Sequence, residues 1–201
     1  MKTLQITAIA LLASLSGLAQ EKKQDTTSVE TLEEVLVQSV RVKADSPITH
    51  SNLTAEEIEK RNLGQDIPIL LNYLPSVVTT SDAGAGVGYT YIRVRGSDAS
   101  RINVTLNGIP FNDAESQGTF FVNLPDFSSS VQSLQLQRGV GTSTNGSGAF
   151  GASLNLLTDA VSEEAYGEIA NSFGSYNTRK HSVKFSTGLL NEHFEIAGRL
   201  S

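Results

Sequence analysis

The feature that most constrains this chain is a change of hydrophobic period near its C-terminal end. From residue 165 onward apolar and polar side chains alternate with a period of two, the signature of strands. Gly167, Ile169, Asn171 and Phe173 alternate with Glu168, Ala170 and Ser172; Val183 and Phe185 alternate with Ser182, Lys184 and Ser186. Phe194, Ile196 and Leu200 alternate with Glu195, Ala197, Arg199 and Ser201. The connections, residues 174–178 and 188–192, are short. One mostly apolar face, one polar face and closely spaced turns fit transmembrane β-strands. They fit a half-exposed antiparallel meander equally well, and the pattern alone leaves both open. On the membrane reading, three strands cannot close a barrel and an open edge is not viable in lipid. That reading therefore expects further strands beyond Ser201.

The N-terminus raises the membrane reading. Met1 and Lys2 give a positive start, residues 4–15 are largely apolar, and Ser16-Gly17-Leu18-Ala19 places small residues at −3 and −1 of a cut after Ala19. This is the plan of a secretory signal peptide over residues 1–19. The stretch is shorter than the ~20 apolar residues a spanning helix needs.

Residues 20–31 are polar and charged with no apolar period, and read as a flexible linker. Leu32-Glu33-Glu34-Val35-Leu36-Val37 is a short β-prone island within that context, so residues 20–44 read as a tether carrying one strand-forming segment. Thr54 followed by Glu57 has the form of a capping box and predicts a two-turn helix over 54–62. Asp66 opens a second short helix, with Ile67, Leu70, Leu71 and Leu74 on one face and Pro75 as its stop. From Val77 the period becomes two. Thr90, Ile92 and Val94 share a face against Tyr91, Arg93 and Arg95, while Ile102, Val104 and Leu106 lead into the turn pair Asn107-Gly108. Leu134 and Leu136 alternate with glutamines, and Leu154 and Leu156 alternate with Ser153 and Asn155. Glycine- and serine-rich loops at 81–88, 112–118 and 139–151 separate these strands. The pattern predicts a small α+β domain of about four strands over residues 45–160.

Composition closes off several classes of function. The 201 residues contain no Cys, which excludes a disulfide framework, a thiolate metal site and a cysteine nucleophile. A formal net charge of −6 gives no basic footprint for nucleic acid. His50, His181 and His193 are the only histidines and lie on unrelated segments, with neither H-E-x-x-H nor G-x-S-x-G present. Gly146-Ser147-Gly148-Ala149-Phe150-Gly151 spells a dinucleotide fingerprint. Such a site needs a helix after it to hold the pyrophosphate, and Ala152-Ser153-Leu154-Asn155-Leu156 alternates like a strand. A tight glycine turn between closely passing backbones is the better reading. No enzyme, cofactor or metal site is expected. Arg93 and Arg95, two residues apart, and Arg138 at a strand end before Gly139 are either solvent-facing or bidentate partners for carboxylates of another domain.

The order of these parts resembles that of a TonB-dependent outer-membrane receptor. Residues 32–37 look like a TonB box, and Ile67 to Val78 looks like a helix ending in L-P-G-V. Ile92-Arg93-Val94-Arg95-Gly96 matches I-R-x-R-G, and Val104 to Pro110 resembles the V-L-x-D-G-V-P hairpin. Gln137-Arg138-Gly139 through Gly151, with Leu154-Asn155-Leu156-Leu157-Thr158, resembles L-R-G-P…Y-G-S-G-A-I-G-G and I-N-I-I-T. The chain departs from that pattern at Asn107, usually Asp, at Gln132 and Gln135, usually acidic, and at Val140 and Asn145, usually Pro and Tyr.

The resemblance implies an α+β plug domain of short helices and a small mixed β-sheet, followed over residues 161–201 by the first strands of a 22-stranded transmembrane β-barrel in the cell outer membrane. It implies a TonB box at Glu33, Glu34, Val35, Leu36, Val37 and Gln38 that meets the energy-transducing protein TonB. It implies a plug–barrel lock at Arg93, Arg95 and Arg138, with barrel carboxylates beyond Ser201. It implies apical substrate-binding loops over 81–89 and 112–119, with Ser81, Asp82, Gly86, Tyr89, Asn112, Asp113, Ser116 and Gln117 as candidate contacts. The implied function is import of an iron chelate of the siderophore type or a similarly scarce nutrient. Vitamin B12 or glycan uptake, or a static adhesin or structural barrel, are the alternatives.

Overall fold

The computed structural model describes residues 41–43, 46–141 and 148–201, all within one unit, Leu32–Ser201. The segment read as a signal peptide, the 33–38 strand segment and residues 142–147 of the glycine loop lie outside the described residues.

The first described strand, β1 (His50–Thr54), runs directly into α1 (Ala55–Glu59). The expected capping box is present: the Glu57 amide donates to the Thr54 hydroxyl, and the Thr54 amide donates to Glu57 Oε2 at 2.9 Å. The helix stops earlier than the predicted 54–62. Asn62 Oδ1 accepts the Gly64 amide at 3.0 Å and Gly64 has a φ of +92°, so the Asn-Leu-Gly stretch forms a turn in place of a second helical turn. Helix α2 (Ile67–Leu70) continues as tight turns to Leu74, and its predicted apolar face of Ile67, Leu70, Leu71 and Leu74 is buried.

Among the described residues seven strands, β1 included, more than the four or so expected, build two sheets of this domain. Strands β2 (Val77–Ser81) and β3 (Thr90–Val94) pair antiparallel by themselves. The main sheet has the order β1-β6-β7-β4-β5, formed with β4 (Ile102–Leu106), β5 (Ile109–Pro110), β6 (Val131–Arg138) and β7 (Ala152–Thr158). Its β4–β7 contact is parallel and the others are antiparallel. Asn107 and Gly108, both with positive φ, turn β4 into β5 as their sequence predicts. The core lies between this sheet and the helices: Leu134 and Leu136 of β6, Leu154 and Leu156 of β7, and Ile102 and Val104 of β4 pack with Leu53, Ile58, Leu71 and Phe121. The alternate positions of the central strands are polar, yet Gln135, Gln137, Ser153, Asn155 and Thr105 are also buried. The main sheet thus has one apolar and one polar interior face.

Strands β8 (Ala165–Phe173), β9 (Arg179–Thr187) and β10 (Ala197–Leu200) form a separate antiparallel meander. The third strand starts later than its pattern suggests, because the Leu190 amide bonds the Phe194 carbonyl at 2.7 Å and draws residues 190–194 into a turn. Ile169, Val183 and Leu200 stand side by side across the three strands and are 73, 46 and 77% exposed. Ser182 and Ser186, on the opposite face, are 9 and 5% exposed. This face arrangement is the reverse of that usual in a water-soluble sheet and fits the membrane alternative of the sequence pattern. No described helix is long and apolar enough to cross a membrane, a fact without bearing on strands.

Candidate functional site

The first predicted binding loop, between β2 and β3, is shaped by glycine and anchored from below. Gly84, Gly86 and Gly88 all adopt positive φ, which a side chain would resist. The Gly86 carbonyl accepts the Asp66 amide at 2.9 Å, and the Gly86 amide donates to the Ser81 hydroxyl oxygen at 3.1 Å. Thr90 donates its hydroxyl to Asp66 Oδ2 at 2.9 Å, and the Gly88 amide also bonds this carboxylate. Asp66 is buried, and burial pushes its carboxyl above the ordinary value against the opposing effect of these two hydrogen bonds. Sequence spacing places Asp66 at the start of α2. Its carboxylate does not cap that helix but turns to the loop instead. Ser81 is spent within the loop, whereas Tyr89 stands exposed.

The second loop consumes most of its predicted contact groups internally. Asn112 Oδ1 accepts the Val104 amide at 2.7 Å, while its Nδ2 donates to the carbonyls of Ile102 at 2.9 Å and Gln117 at 2.8 Å. Its side chain thereby acts as a short neighbouring strand for β4. Asp113 Oδ1 accepts the amides of Glu115 and Ser116 and the Ser116 hydroxyl, and the Ser116 bonds hold the Asp113 carboxyl below its ordinary value. Gln117 takes a φ of +61° to close the turn. Beside these polar groups, Phe111 and Phe120 are exposed aromatics that the polar loop pattern did not single out.

The three arginines separate into a pair and a single residue. Arg93 remains on the exposed face of β3. Arg95 does not share that face, because the strand ends at Val94 and Arg95 takes a φ of +52° with its amide on the Ser76 carbonyl. From there Arg95 Nη1 reaches the Arg138 carbonyl at 3.3 Å. Arg138 is buried, with its Nε on the Pro75 carbonyl at 3.0 Å and its Nη2 on the Ser51 hydroxyl. Burial first and the charge of Arg95 second push the Arg138 guanidinium below its ordinary value. Among the described residues, none of the three arginines makes an ion pair.

Among the described residues, the ion pairs that join the domain to the meander run from carboxylates of the domain to cations of the strands. Asp126, with a φ of +49°, directs Oδ1 to Lys180 Nζ of β9 and Oδ2 to Arg199 Nη1 of β10, each at 2.7 Å. Ser129 donates to Asp126 Oδ1 and accepts from Lys180 at 2.6 Å, while Arg199 Nε donates to the Ser130 hydroxyl at 2.9 Å. Burial would raise the Asp126 carboxyl, but the bonds from Lys180, Ser129 and Ser201 outweigh it and hold the group below its ordinary value. Lys184 of β9 adds a bridge to Asp159 at 2.7 Å. Sequence reading missed this cluster because Asp126 is a single acid in a Leu-Pro-Asp-Phe turn, and its partners lie more than 50 residues away.

The described part of the glycine fingerprint, residues 148–151, forms a turn and bend. Strand β7 begins at Ala152, directly after Gly151, and a Cβ on Gly151 would lie 2.6 Å from Ser97 Cβ and 2.8 Å from the Arg101 carbonyl. The glycine serves close backbone passage.

A small α+β domain with a buried polar sheet face is thus tied by ion pairs to the polar side of a three-stranded meander whose apolar side is bare. The family model described as TonB-dependent Receptor Plug Domain matches residues 42–153, more than half of the chain, and the chain belongs to this family of outer-membrane proteins. It is 28% identical over 176 residues to the vitamin B12 transporter BtuB of Vibrio cholerae, covering 88% of this chain and 28% of that protein. It is 24% identical over 212 residues to the ferrienterobactin receptor of Escherichia coli, covering 98% of this chain and 27% of that protein. The crystal structure of the siderophore receptor PirA from Acinetobacter baumannii superposes with a TM-score of 0.57 at 23% identity, over 84% of this chain and 25% of that one, a likeness of fold. The chain spans about a quarter of the length of the curated relatives it matches.

Proposed function

We propose that this protein is an active importer of the outer membrane, energised through TonB, that captures an extracellular iron chelate of the siderophore class and delivers it to the periplasm. In this reading residues 1–19 direct export, residues 20–44 form the tether with the TonB box at 33–38, residues 45–160 form the plug, and residues 161–201 begin a 22-stranded barrel seated in outer-membrane lipid. The observation that carries the reading is the meander with its apolar face bare and its polar face tied to Asp126. Relatives named as siderophore receptors support the iron-chelate class. The relative named as a vitamin B12 transporter supports a cobalamin substrate as the second reading.

Each part then has a task. The loops at 81–89 and 112–119 face outward. The Asp66-held glycine backbone and the Asn112- and Asp113-braced turn present fixed surfaces, with Tyr89 as the exposed aromatic. Arg95 and Arg138, with Arg93 nearby in sequence, meet carboxylates of later barrel strands. Residues 33–38 add as a strand to TonB, where main-chain hydrogen bonds supply affinity. Each such bond is worth only ~0.5–1.5 kcal/mol net, so the engagement is reversible. Force on that strand displaces part of the plug and opens a path. Substrate occupancy has to change the exposure of the box, because coupling between the two sites requires a free-energy difference.

Deleting residues 33–38 from the receptor tests the assignment against a static adhesin. Growth of the strain under iron restriction, and uptake of radiolabelled iron from its chelate, are expected to fall to the level of the receptor-null strain. Unchanged growth and uptake would favour a barrel whose plug never moves.

A further inference from the structure

The polar interior face of the main sheet holds an amide whose hydrogen-bonding capacity is filled. Gln135 Oε1 accepts the Val42 amide at 2.7 Å and Gln137 Nε2 at 2.9 Å. Its Nε2 donates to the Val42 carbonyl at 3.0 Å and to Asn52 Oδ1 at 2.7 Å. A glutamine side chain has two acceptor sites and two donor hydrogens, and all are used here. Two of the four bonds read both backbone groups of one residue, as a neighbouring strand would. The other two tie that point to edge strand β1 and to β6. Beside it, Arg41 lies over the same face, with Nη1 on the Ser133 hydroxyl at 2.8 Å and Nη2 on the carbonyls of Ser133 at 3.0 Å and Asn155 at 3.2 Å. Val42 stands four residues after Gln38.

We infer that Gln135 is the positioning residue that fastens the tether to the plug at Val42, and that with Arg41 it sets how readily the preceding TonB-docking segment is released. The inference rests on the transporter reading above for its purpose, but not for its geometry. Only a neutral amide fits the position. A carboxylate would place a second acceptor against the Val42 carbonyl, and an apolar side chain would leave both Val42 backbone groups buried without partners, the costly case for a hydrogen bond. Because the latch consists of a few side-chain bonds that involve Arg41 and Val42, it can open without breaking any strand pairing of the sheet. Its point of attachment on β6, Gln135, lies three residues before Arg138 on the same strand.

The test uses full-length receptor in outer-membrane preparations. Gln38→Cys serves as a reporter in a region without native Cys, and its reaction rate with a membrane-impermeant maleimide is measured. Gln135→Glu is expected to raise the rate roughly tenfold or more, since two buried hydrogen bonds lose their donor. Arg41→Met, which alters only the tether side of the latch, is expected to raise it to a lesser degree. A control reporter at Glu115→Cys in the outward loop should label at an unchanged rate in both backgrounds, which separates release of the tether from general loosening. Unchanged labelling at position 38 in both variants would overturn the latch; if Gln135→Glu fails to assemble, Arg41→Met alone decides. Binding of the TonB C-terminal domain to unaltered receptor, measured in parallel, reports separately on the transporter reading.

Discussion

Replacing Asp126 with Ala should loosen the junction between plug and meander more than any other single charge removal. The carboxylate is 16% exposed and serves two cations that are themselves 11 and 19% exposed, so its loss strands Lys180 and Arg199 facing one another. Breaking a pair of this burial costs on the order of 3 kcal/mol, largely from the charges left behind. A lower midpoint of thermal unfolding for the full-length receptor is the expected result. Asp159→Ala removes a bridge whose partners are 35 and 22% exposed and should cost less than about 1 kcal/mol. The Asp126 contribution also carries a pH signature. Its carboxyl is held below the ordinary value in the folded protein, so the stabilisation is complete above the unfolded value of about 4 and is lost as pH falls through the folded value. The difference in melting midpoint between the unaltered protein and Asp126→Ala should therefore be full at neutral pH and shrink in strong acid. An equal difference at both would mean that the residue acts through packing.

Val183→Arg should block assembly. Val183 lies between Ile169 and Leu200 on the bare apolar face of the meander. Placing a guanidinium on the lipid face of a barrel strand costs roughly 2–4 kcal/mol near the bilayer midplane and much less near its edges. The same change on the exposed face of a soluble meander costs almost nothing. The fraction of receptor that runs as folded barrel in unheated gels of outer-membrane preparations should fall sharply for Val183→Arg and hold for Val183→Leu. Normal assembly of the arginine variant would return the meander to the water-exposed alternative that its sequence pattern allows.

The parts of the fold that sequence makes legible are those in which one local signal decides the outcome. Thr54 with Glu57 marks α1, the spacing of Ile67, Leu70, Leu71 and Leu74 marks α2, and Asn107-Gly108 marks the β4–β5 turn. Strand β1 was not legible, because His-Ser-Asn-Leu-Thr has only one apolar residue and becomes a strand by pairing with β6. The buried polar face was equally hidden. Leucine alternating with glutamine reads as a half-exposed strand, whereas Gln135 is buried with its amide bonded to both backbone groups of Val42. Position 135 departs from the pattern's usual acid, and the four bonds of the Gln135 amide give that departure its physical meaning. For the candidate contacts, types and loops were legible but roles were not. Asn112, Asp113 and Ser81 brace their own loops, Arg95 leaves the strand face it was placed on, and Asp66 and Asp126 owe their importance to partners distant in sequence.

The central claim is that residues 33–38 form the strand through which energy reaches the plug. Val35→Pro removes one backbone donor from the middle of that segment and fixes its φ, leaving the plug and the outward loops untouched. The decisive measurement compares surface binding and uptake of a radiolabelled iron chelate by cells carrying this variant and by cells carrying the unaltered receptor. Unchanged binding with uptake reduced to the receptor-null background is the predicted result; uptake at the unaltered rate would contradict the account.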